Sequence, residues 1–249
     1  MENNKTSDKP LVAAGPVKKS MLGVDDLVSG SIKMYKQHFK KFMLMLLVSF
    51  TAYLPFYLIS AWLAVNANMI LGIILVILFL VALVALIYFG VRSQIGMYLI
   101  LKNPTAKFKE LFKNTKGLFW KFFGLSLLTG ILVMLWTLLL IIPGIIFGIF
   151  YYFALYFLIF EDVKGMNAIK SSKALVSGYW WGVFGRTMFL LLVAMLASFV
   201  LSIPFMFLSE GTIMYTIYSL IQNLIWVVVI PVFMVFTYLM YKDLRGIKS

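Results

Sequence analysis

The feature that most constrains this chain is an uncharged apolar stretch that covers residues 122–160. As a single α-helix it would be about 58 Å long, at about 1.5 Å per residue, whereas the hydrocarbon core of a bilayer is about 30 Å thick. The pair Pro143-Gly144 lies near its middle. Proline disfavours a helical residue before it but suits the first position of a new helix. The sequence therefore predicts two membrane spans that meet at Pro143-Gly144.

The composition agrees with a membrane protein. Of the 249 residues, 63% are hydrophobic and 12% are charged, and the mean hydropathy is +0.99. Soluble domains are about 45–50% apolar and about 25% charged. The chain has no cysteine and one histidine, His38, so disulfides, thiolate chemistry and histidine clusters are excluded. We predict an all-α membrane protein without a cofactor or a metal site.

The apolar runs indicate six spans, near residues 42–65, 69–91, 118–142, 143–160, 180–208 and 212–241. Residues 1–22 are predicted to form a disordered cytoplasmic leader, and residues 23–249 a single membrane domain. The first apolar run is longer than the core of a signal peptide, which is about 7–15 residues. We therefore expect it to remain as an uncleaved span.

All 22 Lys and Arg residues lie in alternate connections, in the two terminal segments or at their borders with the spans. The expected location is the cytoplasmic (inner) membrane. The positive-inside rule then places both termini in the cytoplasm. The net charge of +13 flanks apolar spans, which favours a membrane surface over nucleic acid. Anionic lipids are the expected partners, while a protein partner and a homo-oligomer are left open.

Basic amphipathic segments precede the spans. Apolar residues recur at helical spacing from Val24 onward and again after Pro104, and more weakly over residues 165–178. Such helices typically lie flat at a membrane interface. We predict three transmembrane hairpins, each preceded by an interfacial amphipathic helix. The expected contacts with lipid headgroups are made by Lys33, Lys36, Lys40, Lys107, Lys109, Lys113 and Lys116.

Several polar residues lie within or beside the spans. Gln222 and Asn223 would be roughly 15 Å deep in the sixth span, at about 1.5 Å per residue, either bonding between helices or lining a substrate path. Arg186 could extend to the membrane boundary, contact a lipid phosphate or pair with Glu161. Lys170 is a second candidate partner for Glu161.

Three prolines, Pro55, Pro204 and Pro231, fall inside predicted spans. Broken helices line the binding sites of many transporters, but isolated prolines are also tolerated in membrane helices. Both interpretations stay open. No catalytic set of side chains is evident, because the nine acids lie outside the predicted spans and no Ser/His/acid set can be completed away from His38, the one histidine.

The stretch "IIPGIIFGIFYYFALYFLIFEDVKGMNAIKSSKALVSGYWWG" carries a motif. A span ends in Ile-Pro-Gly and an aromatic-rich span ends in Glu161. Ala168 with Ser172 follows on a short helix, and then Gly178 and Trp180. This pattern resembles a group of bacterial integral membrane proteins. The group includes the membrane domain fused to some glycerophosphodiester phosphodiesterases and stand-alone six-span proteins without an assigned activity.

The resemblance implies a six-span fold in which the motif residues Pro143, Gly144, Glu161, Ser172, Gly178 and Arg186 are candidates for a shared role. In the fused proteins catalysis belongs to a separate soluble barrel, for which these residues leave no room, so we do not expect an enzyme. The predicted function is a lipid-contacting membrane scaffold or accessory subunit. The alternative is a transporter or permease subunit that moves a small solute or a lipid.

Overall fold

The long apolar runs of the sequence form long helices. The computed structural model describes residues 20–65, 69–209 and 212–248, and within them all regular structure is helical. Residues 1–19 of the predicted leader lie outside this part of the chain. A short 3-10 helix at Ile203–Phe207 follows the seventh α-helix. The α-helices are α1 Val24–Val65, α2 Met69–Lys102, α3 Phe108–Leu139, α4 Ile141–Tyr151, α5 Ala154–Glu161, α6 Gly165–Val176, α7 Trp180–Ser202 and α8 Ile213–Lys248.

Five helical stretches are long and apolar enough to cross a bilayer. They are Ile73–Lys102, Phe108–Leu139, Ile141–Glu161, Trp180–Phe207 and Ile213–Lys248. The prediction of a helical protein with several membrane-spanning helices is thereby confirmed. The first predicted span, residues 42–65, lies within α1 and stays a prediction, because most of its side chains are outside the described residues.

The turn between the third and fourth predicted spans lies at Leu140, earlier in the chain than predicted. Leu140 is extended (φ −158°, ψ 138°) and separates α3 from α4. The Gly144 N–H donates to the Leu140 carbonyl at 3.2 Å, so Pro143 sits inside the first turn of α4. The first N–H groups of a helix have no partner within it. Proline is therefore tolerated throughout this turn, and its position does not fix where the helix begins.

The fourth predicted span, residues 143–160, is not one continuous helix. It divides into α4 and α5 at Tyr152-Phe153, where the backbone of Phe153 leaves the helical region (φ −97°, ψ 6°). No proline or glycine marks this break in the sequence. Its cause is tertiary, because the Ser172 side chain of α6 accepts the hydrogen bond of the Phe153 N–H there.

Two of the three predicted interfacial helices are wrong as separate elements. The segment from Val24 runs without interruption into α1, and the segment after Pro104 is the first part of α3. Their apolar faces pack partly inside the protein, with Leu27 and Leu111 buried, while Ile32 and Phe39 of α1 are exposed. Only α6 is a separate short helix.

The buried core is concentrated at the end of the bundle that carries the basic segments, here called the basic end. There α1 packs on α2 and α8, and α6 packs on α3, α4, α5 and α8. Large side chains that are almost fully buried include Phe42, Phe122, Phe153 and Phe236. Lysines connect the segments at this end. Lys41 donates to Ala106 O at 2.8 Å, Lys102 to Ile159 O at 2.5 Å and Lys248 to Ser177 O at 2.7 Å.

Away from the basic end the helices expose their apolar side chains. This second region, the apolar belt, includes Ile77, Leu138, Phe199, Leu224 and other large residues of α2, α3, α7 and α8. A soluble monomer rarely exposes such a large contiguous apolar surface. The acyl chains of a bilayer would cover it.

Candidate ligand cavity and the motif that frames it

Ser172 repairs the break between α4 and α5. It is fully buried on α6. Its hydroxyl donates to the Phe150 carbonyl at 2.7 Å and accepts from the Phe153 N–H at 3.0 Å. Buried backbone groups without hydrogen-bond partners cost free energy. The Ser172 side chain supplies the partners of both backbone groups, so the break is tolerated in the protein interior. Its neighbour Ala168 is also fully buried, where α6 packs closely on the two helices.

The two motif glycines each have a steric reason. A Cβ on Gly144 would lie 2.8 Å from Thr137 Cα, so the glycine permits close packing of α3 on α4. Gly178 has φ +86°, in the region that favours glycine. It turns the chain from α6 into α7, and the indole N–H of Trp180 then donates to the Ile146 carbonyl of α4 at 3.2 Å.

Glu161 joins α5 to α8. Its carboxylate accepts from the Tyr241 hydroxyl at 2.5 Å and from the Arg245 guanidinium at 2.7 Å. The predicted ion pairs of Glu161 with Arg186 or Lys170 are therefore wrong. Arg245 lies on the last turns of a helix that the sequence predicts to leave the membrane near residue 241, so its approach to Glu161 required the packing of α8.

Arg186 holds the N-terminal segment against α7 and α8. Its guanidinium donates to the carbonyls of Gly182, at 3.0 Å, and Leu22. The Leu22 N–H in turn donates to the Asp243 carboxylate at 2.9 Å. The arginine thus has protein partners at the border of the fifth predicted span. A lipid phosphate contact by Arg186 stays a prediction.

The lysines predicted to contact lipid headgroups share one property, which is that all of them are exposed. This holds for Lys33, Lys36 and Lys40 on α1 and for Lys107, Lys109, Lys113 and Lys116 at the start of α3. Trp120 and Trp181, at the predicted boundary, are 76% and 77% exposed. Exposed tryptophans beside lysines are typical of a membrane–water interface.

Gln222 and Asn223 lie on α8 away from the main cavity. Asn223 is exposed and its side-chain amide donates to the Ser219 carbonyl of the same helix at 2.8 Å, while Gln222 is half-buried. Neither lines the large cavity described below. Their predicted roles, between helices or along a substrate path, stay predictions.

Arg92 is a buried arginine whose role the sequence did not indicate. Its Nε donates to Thr115 Oγ1 at 2.8 Å and its Nη2 to the Phe112 carbonyl at 2.8 Å. The guanidinium lies 3.9 Å from the centroid of the Phe112 ring. These bonds tie α2 to the first turns of α3. The sequence predicts a connection from residue 92 onward, whereas α2 continues past Arg92 to Lys102.

A cavity of about 840 Å³ lies beside the α4–α5 break. Its walls come from α2, α3, α4, α5, α7 and α8, and its lining contains no charged side chain. Hydroxyl groups are frequent in it, from Tyr98, Ser126, Thr129, Tyr151, Tyr152, Tyr156, Thr187 and Thr237. The volume falls within the range of about 300–1,000 Å³ typical of small-molecule sites.

The phenols form a connected polar cluster on one side of the cavity. The Tyr156 hydroxyl donates to the Met234 carbonyl at 3.1 Å, and the Tyr98 and Tyr156 rings meet edge to face at 5.0 Å. Tyr152 and Thr237 share a hydrogen bond of 3.2 Å. The arrangement offers hydroxyl groups without charge. It fits binding of a neutral hydrogen-bonding group rather than acid–base catalysis.

Among the described residues no group of three His, Asp or Glu side chains could hold a metal ion. Comparisons of the chain with protein-family models, with curated proteins and with solved structures found no match. The resemblance to the membrane domain of glycerophosphodiester phosphodiesterases therefore stays a hypothesis that rests on the motif alone.

Proposed function

We propose that this chain is a non-catalytic integral protein of a bacterial cytoplasmic membrane that binds anionic phospholipids through its basic end. In this role it serves as a membrane scaffold or an accessory subunit. The observation that carries the proposal is the set of seven exposed lysines on α1 and at the start of α3, next to an apolar belt of membrane-spanning length.

The physical basis is electrostatic. Each Lys or Arg close to an anionic leaflet contributes about 1 kcal/mol to the attraction. Carboxylates offset few of these charges, since the salt bridges among the described residues involve Lys121, Lys164 and Arg245. The seven lysines are therefore free of such pairs in the described structure, which leaves them available to phosphate groups.

The proposal is tested by replacing Lys107, Lys109, Lys113 and Lys116 together with Gln. The purified protein is incubated with vesicles of phosphatidylglycerol and phosphatidylcholine in equal parts, and retained lipids are counted by native mass spectrometry. We expect the preference for phosphatidylglycerol to fall more than about tenfold, since four contributions of about 1 kcal/mol are removed.

The matched control replaces the same four lysines with Arg, which keeps the charge. This variant should retain phosphatidylglycerol like the wild type. An unchanged preference in the Gln variant would mean that the basic end is not the lipid-binding surface, and the proposal would fail.

Transport of a small solute or a lipid is the second candidate. The observation that favours it is the helix break between α4 and α5 beside a large cavity, because broken helices line the substrate sites of many transporters. Protein reconstituted into vesicles would then move a fluorescent phospholipid between leaflets or release a trapped solute. Vesicles that behave like protein-free vesicles in both assays would count against transport.

A further inference from the structure

The cavity beside the α4–α5 break has features that the basic end does not explain. It has no charged lining residue, yet hydroxyl groups come from several of its helices. A charged group inside it would be left without a counter-ion, which is very costly away from water. The lining therefore selects a ligand whose buried part is neutral and carries hydrogen-bond acceptors.

Two of these hydroxyls have no partner. The Oγ1 atoms of Thr129 on α3 and Thr187 on α7 are buried and lack a hydrogen bond in the described structure. Both residues line the cavity. Buried polar groups in native proteins are nearly always satisfied. Both oxygens are buried, so a carbonyl oxygen inside the cavity would satisfy them once each threonine side chain rotates about its Cα–Cβ bond toward it.

Two of the hydroxyls that line the cavity lie at the depth of one layer of a bilayer. Tyr98 lies one helical turn, about 6 Å, from Lys102 at the basic end. Thr237 lies about 8 Å along α8 from Lys242 by the same rise. The interfacial layer between hydrocarbon and water is about 5–8 Å thick on each side. The ester carbonyls of glycerolipids lie at the inner border of this layer.

The rest of the cavity is apolar and reaches the surface that faces lipid. Val133, Ala194 and Phe233 line it, and Leu191 and Ile230 both line it and are exposed, at 51% and 47%. A lipid could therefore enter sideways from the bilayer. Its acyl chain would lie along these side chains and its headgroup would stay at the membrane surface.

We infer that this cavity binds one membrane glycerolipid by its ester region and an acyl chain, with the ester carbonyls accepting hydrogen bonds from the Thr129 and Thr187 hydroxyls. The inference depends on the membrane location in the proposed function but not on lipid binding at the basic end. Because the headgroup is outside the cavity, the site does not distinguish anionic from zwitterionic lipids.

The first test fills the cavity. A Cβ at Gly130 meets no atom within 4 Å, and Gly130 lines the cavity. Gly130→Leu should therefore occupy part of it without a clash. Gly124→Leu is the matched control, since Gly124 is on the same helix, its Cβ also meets nothing, and it does not line the cavity.

Each purified variant is equilibrated with pure phosphatidylcholine vesicles, returned to detergent and analysed by native mass spectrometry. The wild type and Gly124→Leu should each retain one phosphatidylcholine per chain, and Gly130→Leu should lose it. The four-lysine variant should keep it, which separates this site from the basic end. Equal retention by Gly130→Leu and Gly124→Leu would overturn the inference.

The second test does not depend on the folding of the Leu variant. Diether phosphatidylcholine has the same headgroup and chains but no ester carbonyl. The wild type should hold it about tenfold more weakly than the diester lipid, as expected for the loss of two hydrogen bonds. The double variant Thr129→Val with Thr187→Val should bind both lipids alike. A wild type that holds both lipids equally would overturn the inference.

Discussion

At the scale of single residues, one serine carries the motif's strongest structural role. Ser172→Ala would leave the Phe153 N–H and the Phe150 carbonyl without their buried partner. We expect the free energy of unfolding to fall by about 1–3 kcal/mol, measured by titration with sodium dodecyl sulfate in mixed micelles. Ser171→Ala is the control, because Ser171 is the half-buried neighbour on the same helix and should change stability by less than about 0.5 kcal/mol.

A loss of equal size in both variants would mean that Ser172 acts only through the packing of α6.

The motif residues themselves could be identified from the sequence, whereas their partners could not. Ser172 meets a helix break that no proline or glycine marks, and Glu161 pairs with Arg245, which is 84 positions away in the sequence. Such long-range partners follow from tertiary packing and not from local spacing.

At the scale of elements, the bond between Glu161 and Tyr241 holds α5 against α8. In a double-mutant cycle, Tyr241→Phe should cost about 0.5–1.5 kcal/mol in the wild type and clearly less when Glu161 is already Gln. Tyr238→Phe is the control on the same helix, and its effect should simply add to that of Glu161→Gln. The same micelle titration measures all the variants.

Additive effects of Tyr241→Phe and Glu161→Gln would show that the two side chains do not stabilise the helix pair together.

The helices themselves could largely be predicted from the sequence, since hydropathy and charge indicated the apolar stretches of α2, α3, α7 and α8. The continuity of α1 and α3 could not. The same periodicity describes a helix whose apolar face lies on a membrane and one whose face packs on protein, and only the burial of Leu27 and Leu111 distinguishes them.

At the scale of the whole molecule, the contacts at the basic end bear on the number of spans. The Leu22 N–H donates to the Asp243 carboxylate, so we expect the segment before α1 and the end of α8 to lie on the same side of the membrane. The chain between them must then cross an even number of times. Five membrane-length stretches follow α1, and we therefore expect residues 42–65 within α1 to provide the sixth crossing.

This expectation can be measured directly because the chain has no cysteine. Single cysteines are introduced at Ala67 and Ser209, in the connections predicted to face outward, and at Lys109 and Lys170 on the basic side. A membrane-impermeant maleimide added to intact cells should label the first pair, and should label the second pair only after permeabilisation. The basic side then faces the cytoplasm, as the positive-inside rule predicts. Labelling of Ala67 only after permeabilisation, with Ser209 labelled in intact cells, would mean that residues 42–65 do not cross, and both the six-span topology and the parity argument would fail.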